Sequence, residues 1–220
     1  MKVIITLVAD GPFDSALLPI IDHTLRRNPR VTEIDRNFAL PHKLPPLREG
    51  LARRVQAALA LYPANLLIVH RDAEREAMDT RRNEIERELK GLNALPPAWV
   101  AAIPVRMTEA WLLFDIAAIR EAAGNPNGNM PLQLPRLQDI EAVPNPKKIL
   151  HEALALASGR SGRALAKFNV SQAANRVAEL IDNFAPLEAL SAYRRFQSDL
   201  TTALDALGRS NTRINPAWRS

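Results

Sequence analysis

Four carboxylates stand just past short apolar runs in this chain: Asp10 after the run at 3–8, Asp72 and Glu74 after the run at 66–69, and Glu109 beyond the run at 100–105. Short runs rich in Val and Ile, separated by helix-length stretches, read as parallel strands buried on both faces. In such a sheet the C-terminal strand ends line up along one edge, where ligands bind. Carboxylates gathered there repel one another unless a cation or a proton joins them. An oxygen-rich acid cluster suits Mg²⁺ or Mn²⁺ and, through the metal, phosphate chemistry. Asp72 and Glu74 are two residues apart, so in extended chain both point to the same side and reach one ion. Asp10, Asp72 and Glu74 are the expected metal ligands, with Glu109 as a further catalytic acid. Arg71 and Arg106, at strand ends beside the acids, are the candidates to neutralise charge developing on a phosphate.

Each acid also has a plain structural use. Asp10 precedes Gly11-Pro12 and can bond turn amides. Asp72 and Glu74 can cap the helix that follows, and Glu109 can serve a helix dipole. Asp14 reads as a helix-start residue and Asp115 as surface. His70 lies inside the strand-end motif, but a lone His there is more often a hydrogen-bonding residue than a ligand, so it stays outside the expected metal set. His23, His42 and His151 show no ligand spacing. No Tyr stands at a strand edge to act as a nucleophile: Tyr62 ends a helical stretch and Tyr193 lies among the C-terminal helices.

Periodicity gives the elements that must position these groups. Strands are expected at 2–9, 31–35, 65–70 and 99–106, alternating with helices at 13–27, 47–62, 74–92 and 108–123. The character changes at Gly124, where a turn-rich stretch and prolines at 131, 135, 144 and 146 follow. After them come only helical patterns, at 147–157, 162–168, 170–183 and 186–207, and a polar tail at 208–220. The expected organisation is an α/β domain over 1–123, a Pro/Gly/Asn-rich connection over 124–146, and a helical cap over 147–220 packed on the first domain.

Composition bounds the chemistry further. The chain has 220 residues, 47% of them hydrophobic, enough for a real core. It has no cysteine, which excludes disulfides, zinc–thiolate sites and thiol nucleophiles. No apolar run is long enough to span a membrane, and no leader-like segment opens the chain, so a cytoplasmic protein is expected. The net charge is +5, and between 147 and 176 six basic residues (Lys147, Lys148, Arg160, Arg163, Lys167, Arg176) face one acid, Glu152. A positive surface beside an acidic metal cluster is what a polyanionic substrate, DNA or RNA, requires; an ordinary solvated helix face is the other reading. In Ser158-Gly159-Arg160-Ser161-Gly162-Arg163, two glycines before a helix can present amides to an anion, with Arg160 and Arg163 assisting. Those two, with Arg106 and Lys147, are the expected phosphate contacts; a simple interhelical loop is the alternative. The segment lacks the Gly-Lys-Ser/Thr ending of a Walker loop, so a partner ATPase would be a separate chain. Apolar positions in the last helices, among them Leu187, Phe196 and Leu204, could pack on the sheet or on a second copy in a homodimer.

Two segments resemble a known family. Ala9-Asp10-Gly11-Pro12-Phe13-Asp14-Ser15-Ala16-Leu17-Leu18-Pro19 is similar to the first motif of Toprim domains, a Glu-Gly turn followed by a helix. Those domains are the catalytic fold of topoisomerases, primases and overcoming-lysogenization-defect nucleases. Val69-His70-Arg71-Asp72-Ala73-Glu74 is similar to their Asp-x-Asp motif. The resemblance covers roughly residues 1–115 and looks closest to small stand-alone bacterial Toprim-like proteins. In these a segment like Met107-Thr108-Glu109-Ala110-Trp111-Leu112-Leu113 follows the fourth strand. It implies a Toprim-like three-layer α/β fold with a central, mostly parallel four-stranded sheet, plus a C-terminal helical extension. It also implies a Mg²⁺-dependent nuclease or phosphotransferase acting on nucleic acid, in a setting such as anti-phage defence. Asp10 stands where the family has Glu, and Glu74 where it has Asp. The alternative is a catalytically inactive Toprim-like binding module within a larger complex.

Overall fold

The computed structural model describes residues 1–92 and 98–213. β1 (Lys2–Val8) leads through a 3₁₀ turn at Pro12–Ala16 into α1 (Leu17–Arg26). β2 (Glu33–Phe38) is followed by α2 (Leu51–Leu61), and β3 (Leu66–His70) by α3 (Met78–Lys90). β4 (Ala98–Ala102) is followed by a 3₁₀ turn at Thr108–Leu112 and by α4 (Ile116–Ala122). Then come α5 (Pro146–Ala157), α6 (Gly162–Ala166), α7 (Val170–Leu180) and α8 (Ser191–Arg213). The protein is α/β, with a four-stranded sheet in the order β2-β1-β3-β4. All three pairings are parallel, with Ile5 beside Leu66, Val8 beside Val69 and Ile68 beside Val100.

Side chains alternate across the pleat, and two cores result. Val3, Ile5, Leu7, Leu66, Ile68, Val100 and Ala102 join the core that also takes α1, α4, α5, α7 and α8. Val8, Leu67, Val69, Ala101 and Ile103 join the core under α2 and α3. β3 is buried at every position, as a central parallel strand must be. The edges are managed differently. β2 (Glu-Ile-Asp-Arg-Asn-Phe) is polar and largely solvated, with Lys2 bound to Glu33 at 2.8 Å and to Asp35 at 2.7 Å. The β4 edge is covered by α8, which packs on it and is tied to α3 by the Arg82–Asp199 ion pair.

Several boundaries differ from the periodicity reading, each for a local reason. β4 stops at Ala102, before Pro104, which has no N–H to continue a ladder. α3 starts at Met78 because Glu74 takes a left-handed conformation (φ 54°), which breaks any helix through it. The stretch 108–123 is two pieces, since Asp115 restarts the helix as an N-cap, accepting from the Ala118 amide at 2.9 Å. Asp115 is thus a capping residue, beyond its reading as surface. The connection 124–146 carries its own cap: Glu141 accepts from the Ser191 and Ala192 amides at 3.0 and 2.8 Å, fixing the start of α8. α8 runs to Arg213, into the stretch read as a polar tail; 214–220 lie outside the described residues.

Trp111 is fully buried where the sheet meets the C-terminal helices, with ring centroids 5.7 Å from Tyr193 and 6.1 Å from Phe196. Among the described residues its indole N–H has no hydrogen-bond partner. Trp111→Ala is expected to lower unfolding free energy by about 3–5 kcal/mol, the range for a large aromatic removed from a packed core. Trp111→Phe should cost less than half of that, because it removes an unpartnered buried donor along with the volume. Urea denaturation of the two variants checks both.

Candidate functional site

The strand order decides where a site can form. From β1 the chain crosses to β2 on one side, then returns to place β3 on the other. The loops after β1 and β3 therefore diverge, and the crevice between their C-terminal ends is the switch point where open α/β sheets bind ligands. Residues 9–14 and 70–74 flank that crevice.

His70, the last residue of β3, is at its centre and 1% exposed. Its Nδ1 lies 2.9 Å from the Ala102 carbonyl, which can only accept, so Nδ1 carries a proton. Its Nε2 faces three oxygens: Thr108 Oγ1 at 3.2 Å, Asp14 Oδ1 at 3.3 Å and Asp72 Oδ1 at 3.4 Å. The Thr108 hydroxyl is 3.4 Å from both carboxylates, and donates to one of them while accepting from Nε2. Asp14 is anchored through its other oxygen, which accepts from the Gly11 amide at 2.8 Å. Glu109 is 3% exposed, and its ion-pair partner is Lys147 Nζ at 3.4 Å. Lys147 also lies 5.8 Å from the centre of the Phe13 ring.

The scaffold around this knot is held by hydrogen bonds. Arg54 of α2 is buried and donates to the Ala9 carbonyl at 2.9 Å and the Pro45 carbonyl at 2.6 Å, pinning the loop after β1. The loops after β3 and β4 continue the ladder in irregular form: Arg71, Ala73 and Glu74 amides donate to the carbonyls of Ala102, Pro104 and Arg106 at 3.3, 3.1 and 3.1 Å. Among the described residues, Glu74 (φ 54°) and Arg106 (φ 67°) are the left-handed non-glycine residues, and they face each other across this pairing. The Arg106 guanidinium closes the turn by donating to the Glu74 carbonyl at 3.1 Å. Strained backbone of this kind concentrates where a loop must hold a functional side chain.

Charge follows from burial and neighbours. Burial pushes the Asp72 carboxyl up, to about 6; His70 and the Thr108 amide pull it down, while Asp14 and Glu109 push it further up. For His70, burial works against the charged form, but the hydrogen bond and charge of Asp14, with the charge of Asp72, hold the imidazolium above its ordinary range. Burial raises Asp14 too, yet the His70 hydrogen bond and charge outweigh it and keep Asp14 below the usual carboxylate value. A proton at His70 Nε2 is thus the positive charge that these acids favour.

The expected site residues separate into two groups. Asp72 and Glu109 enter the knot, with Lys147 at its side. Asp10 turns to Arg71, whose Nε is 3.4 Å away, and both are about one-third exposed. Glu74 is exposed and borders a surface groove with Arg75, Arg81 and Arg106. Neither Asp72 nor Glu74 caps α3, whose N-cap is Ala77. Arg163 lies in α6 and Arg160 just before it; among the described residues no hydrogen bond or ion pair joins them to the knot. Asp14, His70 and Thr108 are the participants that sequence reasoning left out. The two-residue spacing that paired Asp72 with Glu74 applies one step earlier, to His70 and Asp72, because the chain stops being extended at Glu74.

No protein-family model, curated protein or solved structure matches the chain. Among the described residues, no three or more His, Cys, Asp or Glu side chains stand arranged to hold a metal ion. In kind and charge the donors do fit a divalent cation. Asp14, Asp72 and Glu109 bring three carboxylates against the charges of His70 and Lys147, and His70 has the Nδ1–H to carbonyl bond that orients metal-binding imidazoles.

The pH dependence of the metal-free protein follows. Asp72 binds its proton more tightly folded than unfolded, so stability falls as pH rises from 3.8 through about 6. The contribution of His70 is complete below its ordinary 6.5 and is lost as pH climbs through its higher native value. The contribution of Asp14 is present above 3.8 and lost only as pH falls through its lower native value. In chelator the protein is therefore expected to be more stable at about pH 5 than at about pH 8, with Asp72 accounting for about 1.4 kcal/mol of the difference. Asp72→Asn should flatten the profile between about pH 4 and pH 6, measured by urea unfolding across that range.

Proposed function

We propose that this chain is a Mg²⁺- or Mn²⁺-dependent phosphodiester hydrolase of Toprim-like architecture, acting on nucleic acid. The observation that carries this reading is the meeting of Asp14, His70 and Asp72 at the switch point between β1 and β3, with Glu109 and Lys147 beside them. The parallel sheet with acids at the ends of β1 and β3 supports the Toprim-like part. An anti-phage setting is what the resemblance suggests.

Asp72, Asp14 and Glu109 would hold the cation. When bound, it supplies Lewis acidity, polarising a phosphoryl oxygen and lowering the pKa of a water. The chain's own residues do the rest. With a cation among the acids, His70, fixed at Nδ1 by Ala102, would release its Nε2 proton to solvent and stand as a neutral acceptor. Thr108 keeps Asp14 and Asp72 oriented through its hydroxyl. Lys147 and Arg106 neutralise the non-bridging phosphate oxygens. Asp10, on the loop pinned by Arg54, is placed to accept a proton at the rim, with Arg71 holding its orientation. A second reading, a binding module without catalysis, draws on the same geometry: His70, Thr108 and the two Asp satisfy one another as they stand.

Incubation with labelled DNA and RNA in Mg²⁺, Mn²⁺ or EDTA separates the two. The hydrolase is expected to cleave only with metal. Asp72→Ala and Asp14→Ala should each lose at least about 100-fold, and His70→Gln about 10–100-fold, the range for a group that orients a ligand. Glu74→Ala should change the rate by less than about threefold, since its carboxylate is outside the knot. Absence of cleavage, together with no rise in melting temperature on adding Mn²⁺, would select the binding module.

A further inference from the structure

A second polar groove, of about 310 Å³, opens between the end of α4 and the start of α7. Its charged lining residues are Arg160, Lys167 and Arg176, and no acid lines it. All three are exposed, and none is paired with a carboxylate among the described residues. Elsewhere on this surface cations are commonly tied to acids, as Arg26 is to Asp22, Arg53 to Glu49 and Arg136 to Asp139. Three unpaired cations around one concavity repel each other, and an anion seated among them relieves that repulsion.

One of these arginines is already positioned. The Arg160 guanidinium lies over the Phe168 ring, 4.9 Å from its centre. Stacking of this kind fixes the plane of the fork while leaving its N–H groups free for bidentate phosphate recognition, and lowers the rotamer entropy given up on binding. Asn169 and Gln172, also in the lining, add neutral donors. Asn169 already uses its side-chain oxygen to accept from the Gln172 amide at 3.0 Å, which turns its amide donor outward from the helix end. The groove is open rather than closed over, so a phosphate belonging to a longer strand can enter it. An aromatic base platform is lacking in this lining, as Phe168 is covered by Arg160; the chemistry is that of backbone contact, without base reading.

We propose that this groove is a phosphate-binding site for the backbone of a nucleic-acid strand, separate from the Asp14–His70–Asp72 knot. The assignment deepens the proposed function by saying how the strand is held, and so rests on that reading for its ligand; its test reads binding alone.

The experiment is fluorescence anisotropy of a labelled single-stranded oligonucleotide with the full chain carrying Asp72→Ala, in EDTA, across a salt series. Arg160→Gln, Lys167→Gln and Arg176→Gln together should weaken binding by at least about tenfold. They should also reduce the slope of log affinity against log salt by about 0.7 for each phosphate left without its cation. A control removing the same charge elsewhere (Lys43→Gln, Arg48→Gln, Lys90→Gln) should change affinity less than about threefold. Arg160→Lys with Arg176→Lys should keep the salt slope while giving up part of the affinity, which a folding defect would not do. Equal weakening in the groove and control variants would overturn the proposal. A second arm titrates inorganic phosphate and a 5′-mononucleotide: either one saturating the groove at micromolar concentration, with the oligonucleotide no tighter, would assign it to a free phosphate compound instead. Because catalysis is removed by design, failure of the hydrolase reading appears in the cleavage assay and failure of the groove appears here.

Discussion

A buried imidazole between two carboxylates organises this molecule. His70 is almost wholly out of water, where an isolated imidazolium would be costly, and Asp14 and Asp72 at 3.3 and 3.4 Å favour its charged form. The arrangement is reciprocal. The same proton that His70 holds keeps Asp14 ionised below its usual range, while Asp72, less well paired and partly desolvated, sits near 6. Removing any one of the three would leave an uncompensated group in a place built for a balanced set. Such a balance is easily tipped by a second cation, which is why the knot reads as a site more than as a stabilising device.

The fold supplies the constraint from four directions. β3 delivers His70, and its parallel register with β4 sets Ala102 opposite it as the acceptor for Nδ1. The turn after β1 delivers Asp14, held by the Gly11 amide. The 3₁₀ turn after β4 delivers Thr108 and Glu109 together. The start of α5 brings Lys147 against Glu109, with Asn145 capping that helix by accepting from the Lys148 amide at 3.0 Å. The helices after residue 146 therefore contribute to the site as well as to the core they share with the sheet.

Much of this was legible in the chain itself. The apolar runs located β1, β3 and β4, because burial on both faces leaves an unmistakable apolar signature, and the acids after them lie at the C-terminal edge of the sheet. β2 was displaced by two or three residues, since a solvated edge strand such as Glu-Ile-Asp-Arg-Asn-Phe carries almost no apolar pattern. The membership of the knot was harder to read. Placing Glu74 with Asp72 assumed an extended chain, and the left-handed turn at Glu74 is imposed by pairing with Arg106, thirty-two positions away in sequence. Asp14 was read as a helix-start residue because its local role, accepting from Gly11, is real; its other oxygen is used by a residue that only the β1–β3 pairing brings near. The Thr108 hydroxyl is likewise spent on three partners from two other elements.

The account stands on the charge state of one ring. Long-range ¹H–¹⁵N NMR of the His70 imidazole in metal-free protein at neutral pH reads it directly. Both nitrogens should show the shifts of a protonated imidazolium, and both protons should exchange slowly with solvent. A neutral ring protonated only at Nδ1, with Nε2 as a bare acceptor facing Asp14 and Asp72, would contradict the account.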